Sequence, residues 1–169
     1  MDFRRVLSQM PDSARIWLFG TQRLMSAQET QSLKEEMSQF VAGWQAHGKD
    51  LLADFELLGE AILVVAVDES KEPPSGCSID KVFHLLKIQN EKYQLDFFQR
   101  TLIWAWDQQD LRIYTAPSLF DALREQSIDF DTPVVDMLTP TLGDLRAKGL
   151  IPLSDSWIAK KLKRELNYP

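Results

Sequence analysis

One cysteine, Cys77, stands in 169 residues, so no internal disulfide can form and a cystine-stapled secreted scaffold is excluded. Histidine is nearly as scarce. His47 and His84 are the two in the chain, and with Cys77 they fall at no zinc-ligand spacing, so no metal site and no cofactor are expected. Long apolar runs are also missing. The longest, Ala61 to Val67, has seven residues, far short of the ~20 that cross a bilayer, so no membrane insertion is expected. The opening Met1-Asp2-Phe3-Arg4-Arg5-Val6 has two arginines with no apolar stretch behind them. No signal peptide is therefore expected, and a cytoplasmic location is. Nor is there an excess of cations. Nineteen Lys and Arg against 25 Asp and Glu leave a net charge of −6, which disfavours nucleic acid and anionic membrane as partners.

What is there suffices for a packed core. The chain is 44% hydrophobic with five Trp and nine Phe, and its length fits one domain over residues 1–169. Ala14 to Phe19 reads as a first strand. Ser26 and Glu29 match a capping box, and Leu33, Met37, Phe40, Val41 and Trp44 follow at helical spacing. The spacing predicts a helix that stops near His47-Gly48. Asp54–Leu58 and Ala61–Val67 flank Gly59-Glu60 as a hairpin, and the second of these strands is apolar on both faces, so it should be central. A helix with Ile79, Val82, Phe83 and Leu86 on one face follows, capped by Ser75 or Ser78. Then come a hairpin around residues 107–110, a short helix opening at Pro117, and a terminal helix after Trp157. The order predicts an α+β domain with a mixed or antiparallel sheet, helices mainly on one face and a ferredoxin-like β-α-β-β-α-β succession. Its core is expected at about residues 14–126, with residues 127–169 an irregular extension and the terminal helix.

Chemistry-bearing residues gather at one place in this scheme. Cys77 follows a polar loop at the first turn of a helix, where unpaired amides and the helix dipole favour a thiolate. His47 would be its base and Asp68 or Asp80 would orient the imidazole, which makes a thiol-dependent enzyme one expectation, with Cys77, His47 and Asp68 as catalytic residues. Against it stands Cys77 as a small buried residue packing the helix start on the sheet. The leading expectation is a binding domain for a small ligand or a protein partner, its pocket formed by Trp44, His47, Asp68, Glu69, Cys77, Ser78 and Asp80. Gly43 to Asp50 has the glycine spacing and lysine of a phosphate-binding loop. It has Asp50 where the hydroxyl belongs and a helix where a strand must precede, so nucleotide binding is not expected there. A further expectation is an assembly factor that docks through the basic terminal helix with Lys160, Lys161, Lys163 and Arg164.

At Trp44-Gln45-Ala46-His47-Gly48, Val67-Asp68-Glu69-Ser70 and Gly76-Cys77-Ser78-Ile79-Asp80 the chain resembles a family of small bacterial proteins, typical of the Bacteroidota, that often carry the label "ABC transporter ATPase". The similarity runs from about Pro11 to Arg100, with a weaker echo at Ser156-Trp157. The resemblance implies a cytoplasmic bacterial protein of about this length and suggests that His47, Asp68 and Cys77 belong together. It carries no mechanism with it.

Overall fold

The computed structural model describes residues 3–107 and 110–166. A 3-10 turn, Phe3–Arg5, precedes β1 (Arg15–Gly20) and α1 (Ala27–Ala42). A short hairpin, β2 (Gln45–Ala46) and β3 (Lys49–Asp50), then leads into β4 (Leu52–Leu58) and β5 (Ile62–Asp68). After α2 (Gly76–Tyr93) come β6 (Ile103–Asp107), β7 (Asp110–Tyr114) and α3 (Ala116–Arg124). The chain closes with β8 (Pro133–Val135), α4 (Leu142–Lys148), β9 (Leu150–Pro152), a 3-10 turn and α5 (Ala159–Leu166).

The helix starts are chemically marked. Ser26 and Glu29 form the expected capping box on α1, Ser75 and Ser78 do the same on α2, and Thr115 and Ser118 on α3. Each pairs a hydroxyl with an orphan amide, so the sequence fixes where these helices begin. α1 stops earlier than its periodicity predicts, at Ala42, with the Gly43 N–H donating to Phe40 and Val41. The chain turns there because Trp44 is drawn inward: it is 2% exposed, and its indole N–H donates to the Ser78 carbonyl at 2.8 Å. His47 and Gly48 thus lie not at a helix end but in the two-residue turn joining β2 and β3, with φ of 52° and 78°. That left-handed pair is what a two-residue hairpin requires.

The protein is α+β, and every strand pair is antiparallel. The expected β-α-β-β-α-β succession runs from β1 to β6 around the β2–β3 hairpin, but β6 does not join β1, β5 and β4 in one ferredoxin-like sheet. Apart from the β2–β3 hairpin the strands form two sheets, one ordered β1-β5-β4 and the other β7-β6-β8-β9. The reason lies in strands that are apolar on both faces. Leu63, Val65 and Val67 of β5 pack on Leu33 and Met37 of α1 and Val82 and Leu86 of α2. Ile62, Val64 and Ala66 point the other way and need a second cover, which Trp104, Leu111 and Val135 of the second sheet supply. Ile103, Ala105 and Val134 then bury the far face of that sheet under Leu119 and Phe120 of α3 and Leu162 of α5. The result is four layers, helix–sheet–sheet–helix, in place of helices on one face. Seven buried residues in a row along Ala61–Val67 fit the central place expected of β5.

Of residues 127–169, expected as an irregular extension with a terminal helix, the described part, 127–166, contributes to this core. β8 and β9 complete the second sheet, and Leu142 and Leu145 of α4 are fully buried beneath the first. Arg146 ties α4 to the N-terminal turn, its guanidinium donating to the carbonyls of Val6, Leu7 and Met10. Among the described residues no helix is long and apolar enough to cross a membrane.

Candidate functional site

The residues that carry chemistry in the sequence are only partly brought together. His47 and Gly48 from the hairpin turn face Ser75, Cys77 and Lys81 at the start of α2 across a shallow depression of about 380 Å³. Cys77 is exposed there, so it does not pack the helix start on the sheet. Ser78 also borders the depression, but it is 1% exposed and its hydroxyl is spent on the cap, accepting from the Ser75 amide and donating to the Ser75 carbonyl, both at 2.8 Å. Trp44 is a buried anchor. Asp68, Glu69 and Asp80 do not line the depression. Asp68 accepts the Ser70 amide at 3.0 Å, and that backbone hydrogen bond, followed by one from the Ser70 side chain, holds its carboxyl below the usual range. Glu69 meets Arg15 at 3.5 Å. His47 and Cys77 therefore border one depression, whose lining among the described residues includes no carboxylate to orient the imidazole. No group of three or more His, Cys, Asp or Glu side chains among the described residues could hold a metal. The Gly43–Asp50 segment is a hairpin and not the strand-to-helix loop that cradles phosphate.

A larger cleft, of about 800 Å³, lies elsewhere, along the outer edge of β1. β5 pairs with one side of β1, through Arg15↔Val67 to Gly20↔Ile62. The other side is covered at its start by residues 140–142: Ile16 N–H donates to the Pro140 carbonyl, Leu142 N–H donates to Ala14, and Arg15 bridges Thr141. The cover then stops for identifiable reasons. Pro140 has no N–H to return to the Ile16 carbonyl. Ahead of it the chain satisfies itself in a turn, with Leu138 N–H on the Asp136 carboxylate at 3.1 Å and the Thr139 hydroxyl on the Asp136 carbonyl at 2.8 Å. Backbone groups alternate along a strand, so Leu18 N–H and C=O point the same way as Ile16 N–H, into the cleft. Neither has a hydrogen-bond partner among the described residues.

The walls of the cleft are apolar. On the α2 side stand Trp17, Phe83 and Phe98; Phe83 packs edge-on to Phe19 at 5.3 Å and stacks with Phe98 at 5.8 Å. The floor is Leu102 and Trp104. Trp104 is fixed by an indole hydrogen bond to the Thr21 carbonyl at 3.0 Å and by lying against Gly20, where a Cβ would fall 2.2 Å from the ring. The far wall exists because β6 and β8 pair only at Ala105↔Val134 and splay beyond it, which leaves Val135 and Ile103 facing the opening. Leu138 and Trp157 stand at the rim, 77% and 55% exposed. With Phe98 they make three of the six large hydrophobic residues exposed among the described residues, so the exposed apolar side chains concentrate at this cleft. Charges are divided between the walls. Arg15, over the Trp17 ring at 4.8 Å, and Arg100 belong to the aromatic side, while Asp136 and Asp155 lie toward Trp157.

No family model, no curated protein and no solved structure matches the chain. Of the cleft residues, the sequence marks Trp157 as a helix start and Ala14–Phe19 as a strand. It does not signal that the strand's edge is open, since that depends on Pro140 and Asp136, far along the chain.

Proposed function

We propose that the protein is a binding domain that takes an extended segment of a partner protein into this cleft, where the segment adds as a strand to the outer edge of β1. The observation that carries the reading is the N–H and C=O of Leu18, without a hydrogen-bond partner among the described residues, inside a mainly apolar cleft and immediately beyond the bridge that residues 140–142 make to the same edge. Strand addition uses main-chain hydrogen bonds for affinity and alternate side-chain pockets for selection. A segment beside β1 would send its side chains alternately toward Trp17, Phe83 and Phe98 on one face and toward Leu102 and Trp104 on the other, so apolar residues suit both. The volume falls within the ~300–1,000 Å³ of typical ligand sites, and each added backbone hydrogen bond contributes about 0.5–1.5 kcal/mol. This narrows the expectation of a small-ligand or protein-partner domain to the second. A cytoplasmic protein, akin to the bacterial group the sequence resembles, is part of the same proposal; an exposed lone thiol suits a reducing compartment.

The test is selection of random decapeptides, displayed on phage, against the immobilised full chain, with hydrogen exchange on the selected peptides' complexes. The expected result is enrichment of extended apolar sequences that slow exchange of the Leu18 amide. Leu18→Pro, which removes an N–H that bonds nothing among the described residues, should weaken those peptides about tenfold or more. Absence of enrichment, or binding that leaves the Leu18 amide exchanging as before, would refute the reading even if the proline variant proved unstable.

A further inference from the structure

We infer that the segment entering the cleft presents a carboxylate to Arg100; this rests on the strand-addition reading above. The walls of the cleft are electrostatically unlike. On the aromatic wall, Arg100 is exposed and has no hydrogen-bond or ion-pair partner among the described residues, and Arg15 beside Trp17 holds Glu69 only at 3.5 Å between half-exposed side chains. An exposed pair of that kind contributes little and gives way readily to a better acceptor. On the opposite wall Asp136 and Asp155 repel anions, and Asp136 is held in place by the Leu138 amide. A ligand carboxylate therefore has one favourable side. The guanidinium offers a planar pair of N–H donors suited to a carboxylate, which an ammonium lacks. The chain as a whole carries −6, so an acidic segment is steered away from most of the surface, and this local cation is what selects it.

The carboxylate is either an Asp or Glu side chain or the free end of a chain, and both arms can be run. Peptides selected as above are resynthesised with free and amidated C-termini and with each acid replaced by its amide, and binding is titrated at low and high salt. The expected result is an excess of acidic residues or free C-termini among the selected peptides, with about tenfold weaker binding to Arg100→Glu than to the wild-type chain. Replacing the peptide's acid by Lys should restore binding to Arg100→Glu. Wild-type affinity should fall with salt, and the Arg100→Gln variant should lose that dependence. Loss on amidation of the terminus assigns a chain end, and loss on Glu-to-Gln replacement assigns a side chain; either supports the inference. Peptides selected with no acidic bias, or an Arg100→Gln variant with unchanged affinity and salt dependence, would overturn the carboxylate and leave strand addition standing. No selected peptide at all would overturn both.

Discussion

Gly20→Ala should be among the most damaging small substitutions in the protein, although it adds one methyl group. Gly20 closes β1 with ordinary strand φ, so alanine meets no backbone strain and the effect isolates a steric one. The new Cβ would stand 2.2, 2.4 and 2.8 Å from Cζ2, Cε2 and Cη2 of Trp104. Carbon atoms rest at about 3.5–4.0 Å, so the indole must recede by more than an ångström. Trp104 is 3% exposed between the sheets, and retreat of the ring breaks its indole N–H bond to Thr21. Overpacking of a filled core costs about 1–3 kcal/mol, and a buried donor left without its acceptor costs about 1–3 more. The lower chain entropy of unfolded alanine returns about 0.4–1 kcal/mol. The middle of these ranges leaves a net loss of about 3 kcal/mol, and at about 2–4 °C per kcal/mol for a chain of this size the melting temperature falls by roughly 6–12 °C.

The assay is thermal unfolding by circular dichroism with urea midpoints as a check on the energy. A double variant sharpens it. Trp104→Phe removes the ring atoms that Gly20 faces, so alanine at position 20 should cost at least about 1 kcal/mol less in that background than in the wild type. A Gly20→Ala protein melting within about 2 °C of the wild type, or a double variant showing simple additivity, would refute the close packing of β1 on Trp104 and with it the floor of the cleft.

Three further outcomes follow from particular contacts. Arg146→Lys should lose about 1.5–3 kcal/mol, measured by urea midpoint, because one ammonium cannot serve the Val6, Leu7 and Met10 carbonyls together as the guanidinium does; an unchanged midpoint would count against that anchor. Glu29 has its carboxyl lowered to about 2, first by the hydrogen bond from Arg23 and then by the Ser26 amide. Since the folded value lies below the unfolded value of about 4.3, the stability it adds is present above that pH and is lost as pH falls toward 2; the acid dependence of the urea midpoint should be flatter in Glu29→Gln. Cys77, exposed on α2, should react with a disulfide reagent as readily in the native state as in urea, and Cys77→Ser should change stability by less than about 0.5 kcal/mol; a thiol protected until unfolding would contradict its placement.

The parts of the fold legible in the sequence are those written locally. Ser26-Ala27-Gln28-Glu29 announces its own helix start, and the unbroken run Ala61–Val67 announces a strand covered on both faces. What covers the second face is not local. Trp104 and Val135 reach β5 from far along the chain, and β8 and β9 are three residues each, too short to show a period and bracketed by Pro133 and Pro152. Residue 127 onward therefore looks irregular until the sheet that uses it is seen. The candidate site was illegible for a related reason. Reactive residue types point to Cys77 and His47, which border the smaller depression. The cleft, in contrast, is made of backbone groups and a gap between strands, and neither has a residue type of its own.

An open strand edge is ordinarily a hazard, since it templates pairing with any other edge, and proteins shorten, charge or cover such edges. β1 is treated in an intermediate way. Its first residues are covered by the chain near Pro140, and its end is shielded by Trp104 against Gly20. Between them Leu18 is left open but recessed, with Phe83 and Phe98 standing on one side and Val135 and the Leu138 rim on the other. On the proposed reading these walls favour a single extended segment over the flat edge of a second sheet. Lengthening the cover would need only that Leu138 exchange the Asp136 carboxylate for the Leu18 carbonyl, yet Pro140 breaks the ladder at the step where that pairing would have to propagate. The same proline that ends the bridge to residues 140–142 thus leaves Leu18 uncovered among the described residues, and the proposed partner segment would have to fit this recess.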